Sequence, residues 1–312
     1  MNSLVCIVGP TGAGKTMTAL QISRAFTSEI VNCDSRQIYR HMDIGTAKPT
    51  REELSMVMHH LIDIADPDDE ISLTQYQEMA YRAINEIQSR GVLPLLVGGT
   101  GQYFWAVAEG WQAPKVPPDT ELRHNLEKQV KDKGASSLYD ELSVVDPAAA
   151  RKIDPRNIRR VIRALEVFRI RGVRFSELQD KKPPPYRILI VGLTADRQEL
   201  YLQVDKRVDQ MIGHGLVSEV KQLIEMGYGD NLPSMSSIGY RQICRYLRGE
   251  LTLEEATQQI KFETHRYIRQ QYTWFRLKDE RIHWFNICNN VESDIIDLIN
   301  QFIGSSRDER NI

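Results

Sequence analysis

The chain has 312 residues, of which 41% are hydrophobic and 26% charged, and its formal net charge is −2. This composition is typical of a soluble globular protein with a substantial core, and the length suggests roughly two domains. Because positive and negative charges nearly balance, the net charge of the protein does not attract nucleic acid. A nucleic-acid partner would have to bind local basic patches.

The cysteines and the apolar runs bear on the cellular compartment. Cys6, Cys33, Cys244 and Cys288 form no C-x-x-C pair, which fits a reducing compartment and neither a disulfide framework nor a zinc site. No apolar run reaches the roughly 20 residues of a membrane span, and the first residues lead directly into an apolar run. We therefore expect a cytoplasmic protein with no signal peptide and no membrane partner.

A glycine-rich motif follows the first predicted strand, residues 4–8. Its sequence GPTGAGKT fits the pattern G-x-x-x-x-G-K-[ST]. The next residues predict a helix with Met17, Leu20, Ile22, Ala25 and Phe26 on its apolar face. Backbone N–H groups of such a loop and the following helix N-terminus converge on an anion. The order of strand, loop and helix predicts a site for a diphosphate or polyphosphate, with these residues: Gly9, Pro10, Thr11, Gly12, Ala13, Gly14, Lys15 and Thr16.

The second predicted strand, residues 29–34, ends in a carboxylate. Ligands of open parallel sheets lie beyond the carboxyl ends of the strands, which places Asp34 near the phosphate loop. An aspartate that caps a helix or a turn fits the same position equally well. A short strand is predicted at residues 59–63, where His59 and His60 point to opposite faces, so we interpret them as structural or substrate-edge residues.

The next predicted elements are a helix at 73–90 and a buried strand at 92–97 that leads into a second glycine loop, residues 98–101. In an ATP-driven motor or switch, an Asp or Glu would end this strand. No such residue ends it here, which argues against that class of protein. Residues 102–111 predict an aromatic core helix.

Prolines mark both ends of a segment, residues 114–185, in which every predicted element is helical. Its last helix, predicted at 157–171, is rich in arginine. A solvated helix face explains most charge runs, but the excess of one sign favours contact with a phosphate backbone. The predicted fold class is α/β: a P-loop NTPase-like parallel sheet flanked by helices, formed by residues 1–113 and 186–312, with an all-helical insertion domain at 114–185.

The C-terminal part returns to the sheet with a strand at 187–193. A helix that carries Arg207 follows and ends at Gly213 and Gly215. Residues 254–278 predict a helix with a basic face, on which Arg266, Arg269 and Arg276 alternate with aromatic residues. A last strand at 281–287, a last helix at 291–303 and a polar tail at 305–312 complete the chain.

These blocks together resemble the bacterial tRNA dimethylallyltransferase family, also called tRNA isopentenyltransferases. The matching blocks, spread over nearly the whole chain, are GPTGAGKT (9–16), NCDSRQIY (32–39), MDIGTAKP (42–49), LLVGGTGQYF (95–104), RRVIRALEVF (159–168), SIGYRQ (237–242) and RQQYTWFR (269–276).

The resemblance implies a reaction. The family transfers a dimethylallyl group from dimethylallyl diphosphate to the exocyclic amine of the adenosine at tRNA position 37, next to the anticodon. It implies that Asp34 is the general base, that Thr100 lies near the transferred carbon, and that Arg207 stabilises the leaving diphosphate. The phosphate loop would then hold a diphosphate, and Thr16 would bind a magnesium ion.

The resemblance also implies where tRNA is held, with the target base flipped out of the anticodon loop. The residues that match the family's tRNA-contact blocks are Asp34, Ser35, Arg36, Gln37, Thr100, Arg123, Arg159, Arg160, Val161, Ile162, Arg163, Ser236, Ser237, Ile238, Gly239, Tyr240, Arg241, Arg269, Gln270, Gln271, Tyr272, Thr273, Trp274, Phe275 and Arg276.

Two alternative functions would also be compatible with a phosphate loop. A small-molecule or nucleotide kinase would use it for ATP, with the basic insertion as a lid, but would leave the C-terminal blocks unexplained. A non-catalytic RNA-binding module would not need intact Lys15, Thr16 and Asp34. Whether ATP also binds the loop stays open, and we expect a monomer.

Overall fold

The computed structural model describes residues 2–112, 116, 119–178 and 181–308. The chain divides into two compact units, one made of Met1–Ala108 and Pro185–Ile312 and the other of Glu109–Pro184. The predicted domain boundary at residues 113 and 114, and the end of the predicted tail at 309–312, lie outside the described residues.

The first unit contains a parallel sheet. Its strands in the described residues are β1 (Ser3–Val8), β2 (Ser28–Asn32), β3 (His59–His60), β4 (Leu93–Val97), β5 (Arg187–Thr194) and β6 (Ile282–Asn286). Their order is β3-β2-β4-β1-β5-β6, and all pairs are parallel. Central strand β1 is buried along its whole length, because helices cover both faces of such a sheet, and this explains its uninterrupted apolar sequence.

One or more helices follow each strand along the chain. In chain order they are α1 (Lys15–Ala25), α2 (Arg51–Met56), α3 (Leu73–Ser89), α4 (Gly101–Glu109), α5 (Thr120–Lys133), α6 (Ala135–Val145), α7 (Pro147–Ala150), α8 (Ile158–Arg171), α9 (Arg197–Gly213), α10 (Leu216–Glu225), α11 (Tyr240–Leu247), α12 (Leu253–Trp274) and α13 (Glu292–Asp308). The predicted α/β class with a parallel sheet flanked by helices is confirmed.

Several local predictions were wrong. Met17 is 55% exposed, because it lies in the first turn of α1 and lines a cavity, and the buried face of α1 is formed by Ala19, Leu20 and Ile22. Helix α12 ends at Trp274, so Arg276 does not continue its basic face. Helix α13 extends to Asp308, five residues beyond the predicted end at 303.

The second unit has a helical core of its own. Its apolar centre includes Leu126, Leu138, Leu142 and Leu165. Beside them the carboxylate of Glu166 is fully buried, and it accepts hydrogen bonds from the backbone N–H of Asp119 and from two guanidinium groups. These are Arg123, at 2.8 Å, and Arg163, at 2.6 Å. The ion pair with Arg123 ties α8 to α5, and the hydrogen bond from Asp119 ties α8 to the segment before α5.

Candidate active site

The phosphate loop lies between β1 and α1, at the carboxyl edge of the sheet. Gly9 has φ +147° and passes β5 so closely that a Cβ atom would collide with the carbonyl oxygen of Leu193. Gly14, with φ +71°, precedes the first residue of α1. The glycines thus bring the loop backbone against the sheet, and the N-terminus of α1 points its free N–H groups towards the loop.

Two cationic side chains lie at this loop. The ammonium group of Lys15 donates to the carbonyl oxygens of Gly9, at 3.0 Å, and Pro10, at 2.8 Å. Arg207, on α9, donates to the hydroxyl of Thr11, and its Nε atom is buried without a hydrogen-bond partner among the described residues. Because a buried donor without a partner is costly, this arrangement favours a bound anion.

The pKa values of both cations reflect their burial. Burial lowers the pKa of Lys15 to about 8, although the nearby Asp34 carboxylate acts in the opposite direction. Burial also lowers the pKa of Arg207, again opposed by Asp34. A bound anion would oppose the effect of burial, since an opposite charge favours the protonated form.

Asp34 lies two residues beyond the end of β2. Its backbone N–H donates to the side chain of Asn32 at 3.1 Å, and its Oδ1 accepts from the backbone N–H of Arg36 at 2.8 Å. Asp34 is therefore a turn aspartate, and its side chain also lines both of the cavities described next. Both positions that the sequence left open for Asp34 are therefore found: it forms a turn, and it lies near the phosphate loop.

Two cavities meet at Asp34. The phosphate cavity, of about 360 Å³, is lined by Lys15, Thr16, His59 and other residues. The second cavity, of about 390 Å³, is lined by Thr100, Ile238, Tyr267, Trp274 and other residues. The residues that line both are Thr11, Asp34, Thr46, Ala47 and Arg207. The predicted catalytic residues Asp34, Thr100 and Arg207 thus lie around one pair of adjoining cavities.

The second glycine loop is held against the phosphate loop by a buried glutamine. Gln271, which is 3% exposed, accepts from the backbone N–H of Thr11 at 2.8 Å and donates to the carbonyl oxygen of Gly99 at 2.9 Å. The neighbouring Thr100 hydroxyl accepts from the backbone N–H of Ser35 at 3.0 Å. Gln271 had been predicted to contact tRNA, but in this structure its amide is committed to the protein backbone.

The residues predicted to contact tRNA fall into three groups. Those with exposed side chains are Arg159, Arg160, Ser236, Arg241, Arg269, Gln270, Thr273, Trp274 and Arg276. Those that are half-buried are Asp34, Ser35, Arg36, Gln37, Thr100, Arg123, Arg163, Ile238 and Tyr272. Those that are buried are Val161, Ile162, Ser237, Gly239, Tyr240, Gln271 and Phe275. Of the buried members, Ser237, Gly239 and Gln271 line the second cavity, whereas Val161, Ile162, Tyr240 and Phe275 line neither cavity.

The predicted residues are also divided between the two units. Arg123 and Arg159 to Arg163 belong to the second unit, whereas the phosphate loop and the residues around both cavities belong to the first. Glu219, whose carboxylate holds one wall of these cavities, had not been predicted, because an acidic residue on an amphipathic helix carries no distinguishing signal.

Comparison with known proteins decides the family. The family model described as IPP transferase matches residues 37–278. The tRNA dimethylallyltransferase of Dehalococcoides mccartyi is 50% identical over 306 residues, which cover 98% of this chain and 94% of that relative. The chain belongs to the IPP transferase family. It is an enzyme and a prenyltransferase, as the resemblance predicted.

Solved structures of this family share the fold. The full-length tRNA isopentenylpyrophosphate transferase from Bacillus halodurans is 41% identical, with a TM-score of 0.72, and the match covers 100% of this chain and 98% of that one. A eukaryotic dimethylallyltransferase acting on tRNA is similar in fold, with a TM-score of 0.82 at 24% identity, over 98% of this chain and 80% of that one. Within the described residues, no helix has the length and apolar character that crossing a membrane requires.

Proposed function

We propose that the chain transfers the dimethylallyl group of dimethylallyl diphosphate to the exocyclic amine of the adenosine at position 37 of tRNA. The observation that carries this proposal is the pair of cavities that share Asp34 and Arg207. One cavity has the cations and loop amides that suit a diphosphate, and the other has room and aromatic walls for a flipped base. A donor and an acceptor held in these cavities would meet beside a carboxylate.

The diphosphate would be bound and stabilised by the phosphate cavity. Lys15 and Arg207 are already held at the loop by their protein partners, so little reorganisation is needed when negative charge develops on the departing group. With a pKa of about 8, Lys15 is mostly protonated at neutral pH, and a bound diphosphate would hold it so.

A magnesium ion fits this cavity as a partner of the diphosphate. The Thr16 hydroxyl and the Asp34 carboxylate, both hard oxygen donors, line it. The described residues contain no group of three or more His, Cys, Asp or Glu side chains that could hold a metal alone. Magnesium is often bound by one or two protein oxygens together with substrate phosphates and water. When bound through Thr16, it would neutralise charge on the leaving diphosphate.

The transfer forms one bond and breaks another. The adenine amine attacks the first carbon of the dimethylallyl group, and the carbon–oxygen bond breaks with its electron pair leaving on the diphosphate. The amine proton passes to the carboxylate of Asp34 as general base. The hydrogen bond from the Arg36 backbone to Oδ1 holds this carboxylate in one orientation, and Thr100 lies in the wall of the second cavity.

The acceptor base would enter the second cavity from a splayed anticodon loop. Trp274, 39% exposed, lines this cavity and offers a ring on which a base can stack. Exposed arginines, among them Arg159, Arg160 and Arg241, are suited to the phosphate backbone. A tRNA substrate and the cysteine pattern together support a cytoplasmic location, and we expect a monomer.

A transfer assay tests the proposal. Purified protein is mixed with magnesium, labelled dimethylallyl diphosphate and unmodified tRNA, and labelled ATP is supplied in a parallel reaction. The expected result is label on the adenosine at position 37 with ATP unchanged. Phosphoryl transfer or ATP hydrolysis without prenyl transfer would overturn the proposal and support the kinase alternative.

A further inference from the structure

The carboxylate of Glu219 is the centre of a hydrogen-bond cluster beside the cavities. Its Oε2 accepts from the backbone N–H groups of Asp43, at 3.0 Å, and Ile44, at 2.7 Å. Its Oε1 accepts from the backbone N–H of Gly45, at 3.1 Å, and from the hydroxyl of Tyr240, at 2.6 Å. We infer that Glu219 is a positioning residue that fixes the wall shared by the two cavities, an inference that rests on the proposed function.

The wall is formed by residues 42–48, here called the wall loop. Thr46 and Ala47 line both cavities, and Gly45 lines the second. The opposite side of the loop is held by Gln37, whose Nε2 donates to the carbonyl oxygens of Thr46, at 3.2 Å, and Ala47, at 3.0 Å. Glu219 thus holds the N–H groups at the start of the loop, and Gln37 holds the carbonyl groups at its end.

The hydrogen bonds with Glu219 and Gln37 hold a loop whose backbone is in an unfavourable conformation at one residue. Ala47 has φ +51°, a left-handed conformation that a residue with a Cβ atom adopts at a cost. Such conformations persist only where the surroundings determine them, and they cluster at functional sites. Like Thr46, Ala47 lines both cavities and its carbonyl oxygen accepts a hydrogen bond from Gln37. We therefore expect the loop to relax if either anchor is lost.

The side chain of Glu219 is suited to this task because an ionised carboxylate only accepts hydrogen bonds. Here four donors converge on its two oxygens. In Glu219→Gln, an NH2 group replaces one of the two oxygens. It faces two donors and cannot accept a hydrogen bond from either. Burial and the Glu219 carboxylate raise the pKa of Tyr240, which keeps its hydroxyl protonated as a donor.

The wall loop is also in direct contact with the ring of Tyr240. A Cβ atom on Gly45 would collide with that ring. The substitution Gly45→Ala therefore displaces the same loop from the side of α11 while leaving Glu219 in place. Glu219→Gln and Gly45→Ala act on the same loop, so their effects should not be additive.

The expected effect is on alignment and not on diphosphate binding. Lys15 and Arg207 have no hydrogen bond or ion pair with Glu219 or with the wall loop among the described residues. A misplaced wall would leave the diphosphate bound but hold the reacting groups poorly, and small misplacements cost orders of magnitude in rate. We expect Glu219→Gln to lower the single-turnover transfer rate about tenfold or more.

The experiment compares Glu219→Gln, Gly45→Ala, the double variant and Glu225→Gln, a control with the same charge change on the exposed end of α10. Transfer rate per folded molecule, pyrophosphate affinity and hydrogen exchange of the amides of residues 43–45 are measured. We expect slower transfer, faster exchange and pyrophosphate affinity within about twofold for both single variants, with the double variant little worse than either. Glu225→Gln should match the wild type.

Wild-type rates and exchange in Glu219→Gln, or rate losses that multiply in the double variant, would overturn the inference. If Glu219→Gln does not fold, Glu219→Asp, which withdraws the carboxylate by one methylene, should give the same changes, and wild-type behaviour there would overturn it as well. A wild-type chain that transfers nothing to any tRNA would refute the proposed function instead, while the exchange of residues 43–45 would still decide the role of Glu219.

Discussion

The side-chain carbonyl of Gln271 accepts a hydrogen bond from the backbone N–H of Thr11 at 2.8 Å, although 260 positions separate them in the sequence. The same amide donates to Gly99 at 2.9 Å. One buried side chain therefore sets the distance between the phosphate loop and the second glycine loop.

The substitution Gln271→Glu tests this bridge. A carboxylate can still accept from Thr11 but cannot donate to Gly99, and it adds a buried negative charge next to the anion site. We expect the free energy of unfolding to fall by about 1–3 kcal/mol and pyrophosphate affinity to fall about tenfold. Chemical denaturation and calorimetric titration measure the two effects. Gln258→Glu, an exposed position on α12, is the control, and equal behaviour of the two variants would refute the bridge.

The role of Asp34 is tested with Asp34→Asn. Asparagine keeps an acceptor for the Arg36 backbone, so the turn should be preserved while the proton acceptor is lost. We expect transfer to fall about 10²- to 10⁴-fold, the usual contribution of a general base. Binding of tRNA should change little, and pyrophosphate affinity should not fall, because the substitution removes a negative charge from the lining of the phosphate cavity. Single-turnover assays with both substrates saturating would measure this, and turnover near that of the wild type would show that Asp34 is not the base.

Anion binding should depend on pH through Lys15. Since burial lowers its pKa to about 8 in the free protein, the ammonium form is lost as the pH rises through that value, and pyrophosphate affinity should fall above it. Folding responds with the opposite sign: between about 8 and the ordinary value of 10.5 the unfolded chain holds more protons, so this group's contribution to stability rises with pH.

Titrations of pyrophosphate from pH 6.5 to 9 would measure the first effect. The variant Lys15→Arg carries a charge that does not titrate in this range, so it should lose the part of the pH dependence that belongs to Lys15. If wild type and variant show the same pH dependence, the effect arises elsewhere, for example in the ligand.

Arg159 and Arg160 are the residues of α8 from which we expect contact with tRNA. Both are exposed, whereas Arg163 is committed to the buried Glu166. Replacing Arg159 and Arg160 by Gln should weaken tRNA affinity and reduce the slope of log affinity against log salt by about 1.5, the loss of two phosphate contacts. Filter binding across a salt series measures the slope. Arg90→Gln, an exposed arginine at the end of α3, is the control, and an unchanged slope would identify α8 as a merely solvated face.

Much of the fold could be predicted from the sequence because its signals are local. The strands at β1 and β4 are continuous apolar runs, and GPTGAGKT specifies a loop and a helix start with little help from elsewhere. Local periodicity predicted the wrong exposure for Met17, because the exposure of a residue that lines a cavity depends on parts of the chain distant in sequence. The exact end of α12 at Trp274 was missed because it involves a contact distant in the chain, the hydrogen bond from the indole N–H of Trp105 to the carbonyl oxygen of Trp274.

The parts of the site that could not be predicted depend on pairs distant in the chain. Asp34 was found because a strand end has a defined place in a parallel sheet. The bridging role of Gln271 and the clamp formed by Glu219 leave no trace in residue spacing, since each is defined only by backbone groups brought to it by folding.

The attachment of Arg207 and Gln271 to Thr11 has a consequence for synthesis of the chain. A nascent chain that has emerged only as far as β4 already contains the phosphate loop, but it lacks β5, which lies against β1, and both side chains that hold Thr11. The anion site is therefore completed only when α12 has left the ribosome. Chains truncated before that point would lack the hydrogen bond through which Gln271 joins the phosphate loop to α12.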